Sequence, residues 1–162
     1  MIRPLDHATD ADAVRGLFRR ASDYVDLVWG EPPGATQDED FWQSAPPGID
    51  PVTTLRLGLL EKDRLQGVAE LAFGYPEPPD AYLGLLLLTP EARGRGLGRF
   101  MLRHVEEAAR ARGAPRLLLA VLEANPRARV FWEREGFGSP RSFPPRPVGA
   151  RTHVMTRLSK AL

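Results

Sequence analysis

The segment Thr89-Pro90-Glu91-Ala92-Arg93-Gly94-Arg95-Gly96-Leu97-Gly98 constrains this chain more than any other. It follows the apolar run Tyr82 to Leu88, which reads as a buried strand. It precedes a stretch in which Leu97, Met101, Val105 and Ala108 recur at helical spacing. Strand, glycine loop and helix arrive in order, so backbone amides with little side-chain cover collect at a helix N-terminus. That geometry binds phosphate. The same glycines would suit a tight turn without a ligand, but Arg93, Arg95 and Arg99 beside them favour an anion.

Spacing separates the phosphate-binding motifs. A P-loop places Lys and then Ser or Thr directly after its last glycine, whereas Gly98 is followed by Arg99 and Phe100. A dinucleotide fingerprint needs G-x-G-x-x-G, and counted from Gly94 and Gly96 its third glycine is Arg99. What remains is R-x-x-G-x-G, filled by Arg93, Gly96 and Gly98. It resembles the pyrophosphate loop of the GNAT acetyltransferase superfamily, which binds acetyl-coenzyme A. Downstream, Asn125, Ala128, Phe131, Trp132, Gly136 and Phe137 resemble that family's second cofactor segment. One position departs: the second aromatic is commonly a Tyr whose hydroxyl faces the thioester sulfur, and here it is Trp132. The close resemblance runs from about Tyr82 to Phe137.

The resemblance implies a mixed α/β fold over residues 1–162 as a single domain. Its central sheet is mostly antiparallel, with a splayed parallel strand pair and helices on both faces. Acetyl-coenzyme A is the implied cosubstrate, its pyrophosphate held by amides of Arg93, Gly94, Arg95, Gly96, Leu97 and Gly98, with Arg99 or Arg103 reaching more peripheral phosphate. Leu86, Leu87 and Leu88 have core side chains on any reading. In the family their backbone pairs with pantetheine and polarises the acetyl carbonyl, an oxyanion contact worth roughly 3 kcal/mol per donor in other acyl transfers. Asn125 would reach the pantetheine arm or an ordered water, yet Asn before Pro126 is equally a plain helix cap. Phe131 and Trp132 complete the cofactor set. Arg127 and Arg129 read as a solvated helix face.

The implied reaction is acetyl transfer to a primary amine of a small molecule or peptide, by direct attack in a ternary complex. No cysteine exists to carry an acyl intermediate. An alkylamine with a pKa near about 10 must lose a proton before it attacks. Many GNAT enzymes place a Glu on the strand before the glycine loop, but Tyr82-Leu83-Gly84-Leu85-Leu86 carries no carboxylate. Glu70, on the preceding strand, is the nearest candidate base; a solvent-facing strand residue is the plainer reading. The indole of Trp132 cannot act as an acid, and a thiol of pKa about 8.5 leaves tolerably as thiolate. Tyr82, Ser139 and Ser142 could supply a hydroxyl. The two missing family residues also admit a non-catalytic acyl-CoA-binding module.

Composition narrows the partners. With no cysteine and with His7, His104 and His153 far apart, no metal site is expected. Residues 1 to 50 hold four Arg against ten acids, a balance of −6, and the remainder balances at +7. The acidic part would help wall the acceptor side, which favours a cationic amine. The near-zero total argues against nucleic acid. No apolar run is long enough for a membrane span, so a cytoplasmic location is expected, and a homodimer is compatible with the chain.

Periodicity predicts an edge strand at Ile2 to Leu5 and a helix capped by Thr9 or Asp10, burying Val14, Leu17 and Phe18. Residues 30 to 51 read as a loop-rich flap around a helix from Thr36 to Gln43. Strands are expected at Thr53 to Leu60, Leu65 to Phe73, Tyr82 to Leu88 and Arg116 to Leu122, with Gly113 and Gly136 closing the two later helices. Ser139 to Ala150 reads as irregular and Thr152 to Leu158 as the last strand.

Overall fold

The computed structural model describes residues 1–162, apart from the side chain of Ala35. In chain order the elements are β1 (Ile2–Pro4), α1 (His7–Arg20), α2 (Ser22–Trp29), α3 (Ala35–Gln43), β2 (Leu55–Glu61), β3 (Arg64–Phe73) and β4 (Ala81–Leu88). There follow α4 (Leu97–Ala111), β5 (Arg116–Leu122), α5 (Pro126–Arg134), β6 (Gly138–Ser142), β7 (Arg146–Val148), β8 (Arg151–His153) and β9 (Met155–Ala161). Seven strands form one sheet in the order β1-β2-β3-β4-β5-β9-β6, and β7 pairs with β8 as a separate hairpin. The β4–β5 pair is parallel and the other ladders are antiparallel. This is the expected mixed α/β architecture.

Helices cover both faces. On one, Met101, Leu102, Val105 and Ala109 of α4 and Trp132 of α5 pack with Leu71, Leu83, Leu117 and Leu119. On the other, Val14, Leu17 and Phe18 of α1, Val25 of α2 and Phe41 of α3 pack with Leu65, Val68 and Leu87. Each fully buried large side chain contributes on the order of 2 kcal/mol of transfer free energy. The glycine loop is therefore held between two packed elements, β4 and α4.

Local chemistry moved several boundaries. The cap of α1 is Asp6, whose carboxylate accepts the Ala8 amide at 2.9 Å. Asp10 lies inside the helix, accepting the Asp6 amide at 2.8 Å and a two-pronged contact from Arg3. The chain breaks at Ala21 and continues as α2, a helix that no separate signal in the sequence marks. The strand expected from Thr53 starts at Leu55, because Pro51–Thr53 forms a one-turn 3-10 helix capped by Asp50. The segment expected to be irregular holds β6 and β7, and the last strand is divided into β8 and β9. Among the described residues, no helix is long and apolar enough to cross a membrane, and no three His, Asp or Glu side chains converge as metal ligands do.

Candidate active site

Two irregularities of the sheet coincide at Gly84. Across the β3–β4 ladder Glu70 faces Leu85 while Leu71 faces Leu83, so Gly84 is an unmatched bulge residue. The parallel ladder with β5 runs through Ala81, Tyr82 and Leu83 and stops there, although β5 continues beside β9 as far as Leu122. Past the bulge, β4 and β5 separate and leave one side of the β4 backbone without a strand partner. The bulge also reverses side-chain alternation. Residues directly opposite share a face, so Tyr82, opposite Ala72, and Leu85, opposite Glu70, lie on the same face despite their odd separation.

The gap between the separated strands is a cavity of about 100 Å³ whose lining includes Gly84, Leu86, Ala120, Asn125, Trp132 and Tyr24. Asn125 caps α5, its side-chain oxygen accepting the Ala128 amide at 3.2 Å, so the plain cap is realised at the cavity edge. Trp132 is buried, with ring centroids 4.8 Å from Phe131 and 5.5 Å from Phe137. Of the leucines expected at the cofactor, Leu86 lines this gap, Leu87 turns to the α1–α3 core, and Leu88 is half-buried near Gly98.

The glycine loop ends at α4. Gly94 and Gly96 have φ of +72° and +78°, and a side chain at either would project into open space. Side-chain-bearing residues rarely adopt this backbone. Gly96 caps α4 without a side-chain acceptor, so the first-turn amides of Leu97, Gly98 and Arg99 point outward at the positive end of a 15-residue helix. A Cβ on Gly98 would stand 3.5 Å from the Phe131 ring, so α5 covers the opening of α4. The strand gap and these donors fit a thioester arm with a phosphate at its far end.

The loop arginines are already paired. Arg93 is joined through both terminal nitrogens to Asp23 and donates from Nε to the Leu88 carbonyl at 3.1 Å. Arg95 grips Glu61 at 2.9 and 2.8 Å, and Arg99 grips Glu135 at 3.0 and 3.1 Å. The three loop arginines are thus each paired with a carboxylate of the chain; Arg103 is exposed and has no such partner among the described residues.

On the other side of Gly84 lies a larger cavity, about 440 Å³, lined by Ser44, Thr54, Glu70, Tyr75, Tyr82 and Arg146 among others. Both proposed catalytic residues, Glu70 and Tyr82, therefore meet here. Glu70 is only 8% exposed, which corrects the plainer expectation of a solvent-facing residue. Burial pushes its carboxyl up to about 8. Arg56 opposes the rise, Asp40 adds to it and the Ser44 hydroxyl, 3.4 Å away, opposes it. Arg56 is weak in this role because its guanidinium is spent elsewhere. It donates to the carbonyls of Phe41 at 2.7 Å, Pro51 at 3.0 Å and Ser44 at 3.2 Å, and stands 4.0 Å from Glu70. Burial also raises the Tyr82 phenol, against the pull of Arg157.

Tyr24 was not singled out in the sequence. It comes from α2, lines the strand gap with Trp132, and its phenol is raised by burial and by the nearby Glu70 charge. No spacing motif marks it, since it reaches the gap through a helix on the far side of the sheet. Ser139 and Ser142 lie on the edge strand β6 and line neither cavity; Ser142 shares a hydrogen bond with Thr156 at 3.2 Å.

A sequence model of the acetyltransferase (GNAT) family matches residues 21–137. Mycothiol acetyltransferase of Beutenbergia cavernae is 42% identical over 72 residues, which is 43% of this chain and 24% of that protein. The match thus spans about a quarter of that relative's length. Among solved structures, an acetyltransferase from Thermus thermophilus is similar with a TM-score of 0.76 and 27% identity, covering 100% of this chain and 96% of that one. The protein yncA of Salmonella typhimurium, solved with its cofactor acetyl-CoA, has the same fold with a TM-score of 0.73 at 20% identity, covering 100% of this chain and 93% of that one.

Proposed function

Because the chain belongs to the GNAT acetyltransferase family, as the match over residues 21–137 establishes, we propose that it transfers acetyl from acetyl-coenzyme A to a primary amine in a ternary complex. The observation that carries this reading is Gly84, which borders both the strand gap and the Glu70 cavity. Donor and acceptor can then meet across one residue whose lack of a side chain leaves the passage open.

Acetyl-coenzyme A supplies an acetyl thioester, an electrophilic carbonyl with a thiolate leaving group. The residues of this chain do the rest. Amides of Gly96 to Arg99 hold the pyrophosphate, and the unpaired side of β4 beyond Leu83 donates to the carbonyl oxygen as charge develops there. Glu70 takes the proton that the ammonium must lose, after which the neutral nitrogen forms the new C–N bond. The C–S bond then breaks, the sulfur leaves with the electron pair, and the nitrogen, cationic since the C–N bond formed, releases its second proton to water. Tyr24, held protonated by its surroundings and lining the gap that Trp132 also lines, gives the sulfur a proton and regains one, through water, from that nitrogen.

A non-catalytic acyl-CoA-binding module is the competing reading, favoured by Trp132 in place of the family's usual Tyr. A buried carboxyl of raised pKa beside a polar cavity weighs against it, since binding alone does not need one. The deciding experiment supplies acetyl-CoA and a panel of amines and follows free thiol over many turnovers. Sustained release dependent on an amine supports transfer. Acetyl-CoA binding with no amine-dependent release supports the module.

A further inference from the structure

The larger cavity has a charge pattern opposite to that of the first fifty residues. Those residues are acidic in sum, but half of their ten carboxylates are paired with arginines away from the cavity. Asp10 is paired with Arg3, Asp12 and Asp38 with Arg15, Asp23 with Arg93, and Asp26 with Arg151. Asp40 alone among them acts on Glu70. The cavity itself presents Glu70 at its base and Arg146 on its wall, with Arg157 behind Tyr75, whose hydroxyl accepts from that guanidinium at 2.8 Å. Neither Arg146 nor Arg157 has a carboxylate partner among the described residues.

Two further observations make this a place for a polar ligand. Thr54 lines the cavity at 9% exposure, and its Oγ1 is buried beside it without a hydrogen-bond partner. The exposed Arg146 stands on a docked hairpin. It opens the β7–β8 hairpin, which docks on the end of α2: His153 Nε2 stands 2.7 Å from the Val28 carbonyl and the Ala150 amide donates to Trp29 at 2.8 Å. A Cβ on Gly149 would sit 2.7 Å from the Trp29 carbonyl oxygen, so this close docking of the hairpin requires glycine there.

We infer that the acceptor is a primary amine carrying an oxyanion, a carboxylate or a phosphate, with its nitrogen at Glu70 and its anionic group at Arg146. This deepens the acetyl-transfer reading and rests on it. A guanidinium without a carboxylate partner can offer two parallel N–H donors to either oxyanion. A purely cationic amine would bring a second positive charge toward Arg146 and Arg157. Thr54, Ser44, Tyr75 and Tyr82 supply neutral polar contacts for the portion in between.

The test uses four acceptors of matched length with the whole protein: γ-aminobutyrate, aminobutyl phosphate, putrescine and n-butylamine. Thiol release is measured for wild type and for Arg146→Glu, with calorimetric binding of acetyl-CoA as the check that the variant is folded. Wild type is expected to use one or both anionic amines with kcat/KM at least about tenfold above putrescine, and which of the two leads identifies the oxyanion. Arg146→Glu is expected to invert the order, so that putrescine overtakes both. If wild type releases thiol best with putrescine, or if the order survives charge reversal, the assignment of Arg146 is wrong while acetyl transfer stands. If acetyl-CoA binds and no amine is turned over, the acetyl-transfer reading falls and takes this inference with it.

Discussion

Gly84 lies directly beside Glu70, such that a Cβ on the glycine would stand 3.7 Å from the carboxylate oxygen Oε2. The contact arises because Glu70 pairs with Leu85 while Leu71 pairs with Leu83, which leaves the glycine unmatched between them. It joins the buried carboxylate to the point where β4 leaves β5.

Burial of Glu70 makes stability depend on pH in a definite direction. Its folded pKa of about 8 lies above its ordinary value of 4.5, so the folded state retains a proton that the unfolded chain has released. Stability therefore falls as pH rises from about 4.5 to about 8 and then levels off. Glu70→Gln removes the penalty. Relative to wild type it should gain stability between pH 5 and pH 9, by up to a few kcal/mol in order of magnitude. Thermal unfolding of both proteins across that range checks this; a constant difference in Tm would show that Glu70 titrates normally.

At the glycine loop, Gly96→Glu should abolish acetyl-CoA binding. The backbone there has φ of +78°, which strains any side chain, and the new carboxylate would face the anion at the helix end. The Cβ itself meets open space, so the fold should survive with a loss of about 1–2 kcal/mol. Calorimetry on the folded variant decides the matter, and unchanged affinity would remove the phosphate from this loop.

A loop arginine that reaches a phosphate must first give up its carboxylate partner in the chain. Arg95 and Glu61 are a surface pair, and such pairs are held weakly because solvent screens them. Glu61→Gln should therefore tighten acetyl-CoA binding by a factor of up to about five and steepen its salt dependence. Weaker binding would mean that Glu61 supports the loop and does not compete with the ligand.

How the thiolate leaves can be read from two aromatic variants. Trp132→Phe keeps a ring between Phe131 and Phe137, and its turnover should stay within about tenfold of wild type, or about 1.4 kcal/mol of transition-state stabilisation. Tyr24→Phe should cost more in kcat, about ten- to a hundredfold. The buried Tyr24 phenol lies above its ordinary value, so wild-type kcat/KM should rise with pH and reach a plateau with no descending limb below about pH 10. If Trp132→Phe is the more damaging change, or a limb appears that Tyr82→Phe abolishes, Tyr24 is not the proton donor.

Much of this arrangement was legible in the sequence because single residues dictate it. Gly96 and Gly113, at φ of +78° and +77°, bracket α4, Asn125 before Pro126 starts α5, and β5 has the expected bounds Arg116–Leu122. A bulge and splay of this strand are implied by the family resemblance, but periodicity does not place the bulge at Gly84. An unbroken run from Leu85 to Leu88 shows no alternation, so the change of face at Gly84 leaves no trace in it. Nor is the helix break at Ala21 legible, since two apolar stripes join there without a proline or glycine. The charge presented to an acceptor is not legible for a related reason: a summed charge over fifty residues does not say which carboxylates are paired, as Asp23 is with Arg93 and Asp26 with Arg151, and pairing is a property of the fold.

The central claim is that Glu70 serves the acceptor and the strand gap serves acetyl-CoA. The direct test is Glu70→Gln, with acetyl-CoA affinity and amine-dependent thiol release measured on the same sample. Affinity is expected to be unchanged, kcat/KM to fall about a hundredfold or more, and the wild-type rise in rate near pH 8 to be lost once the amine's own titration is removed. Turnover within about threefold of wild type with the pH rise intact would contradict that claim.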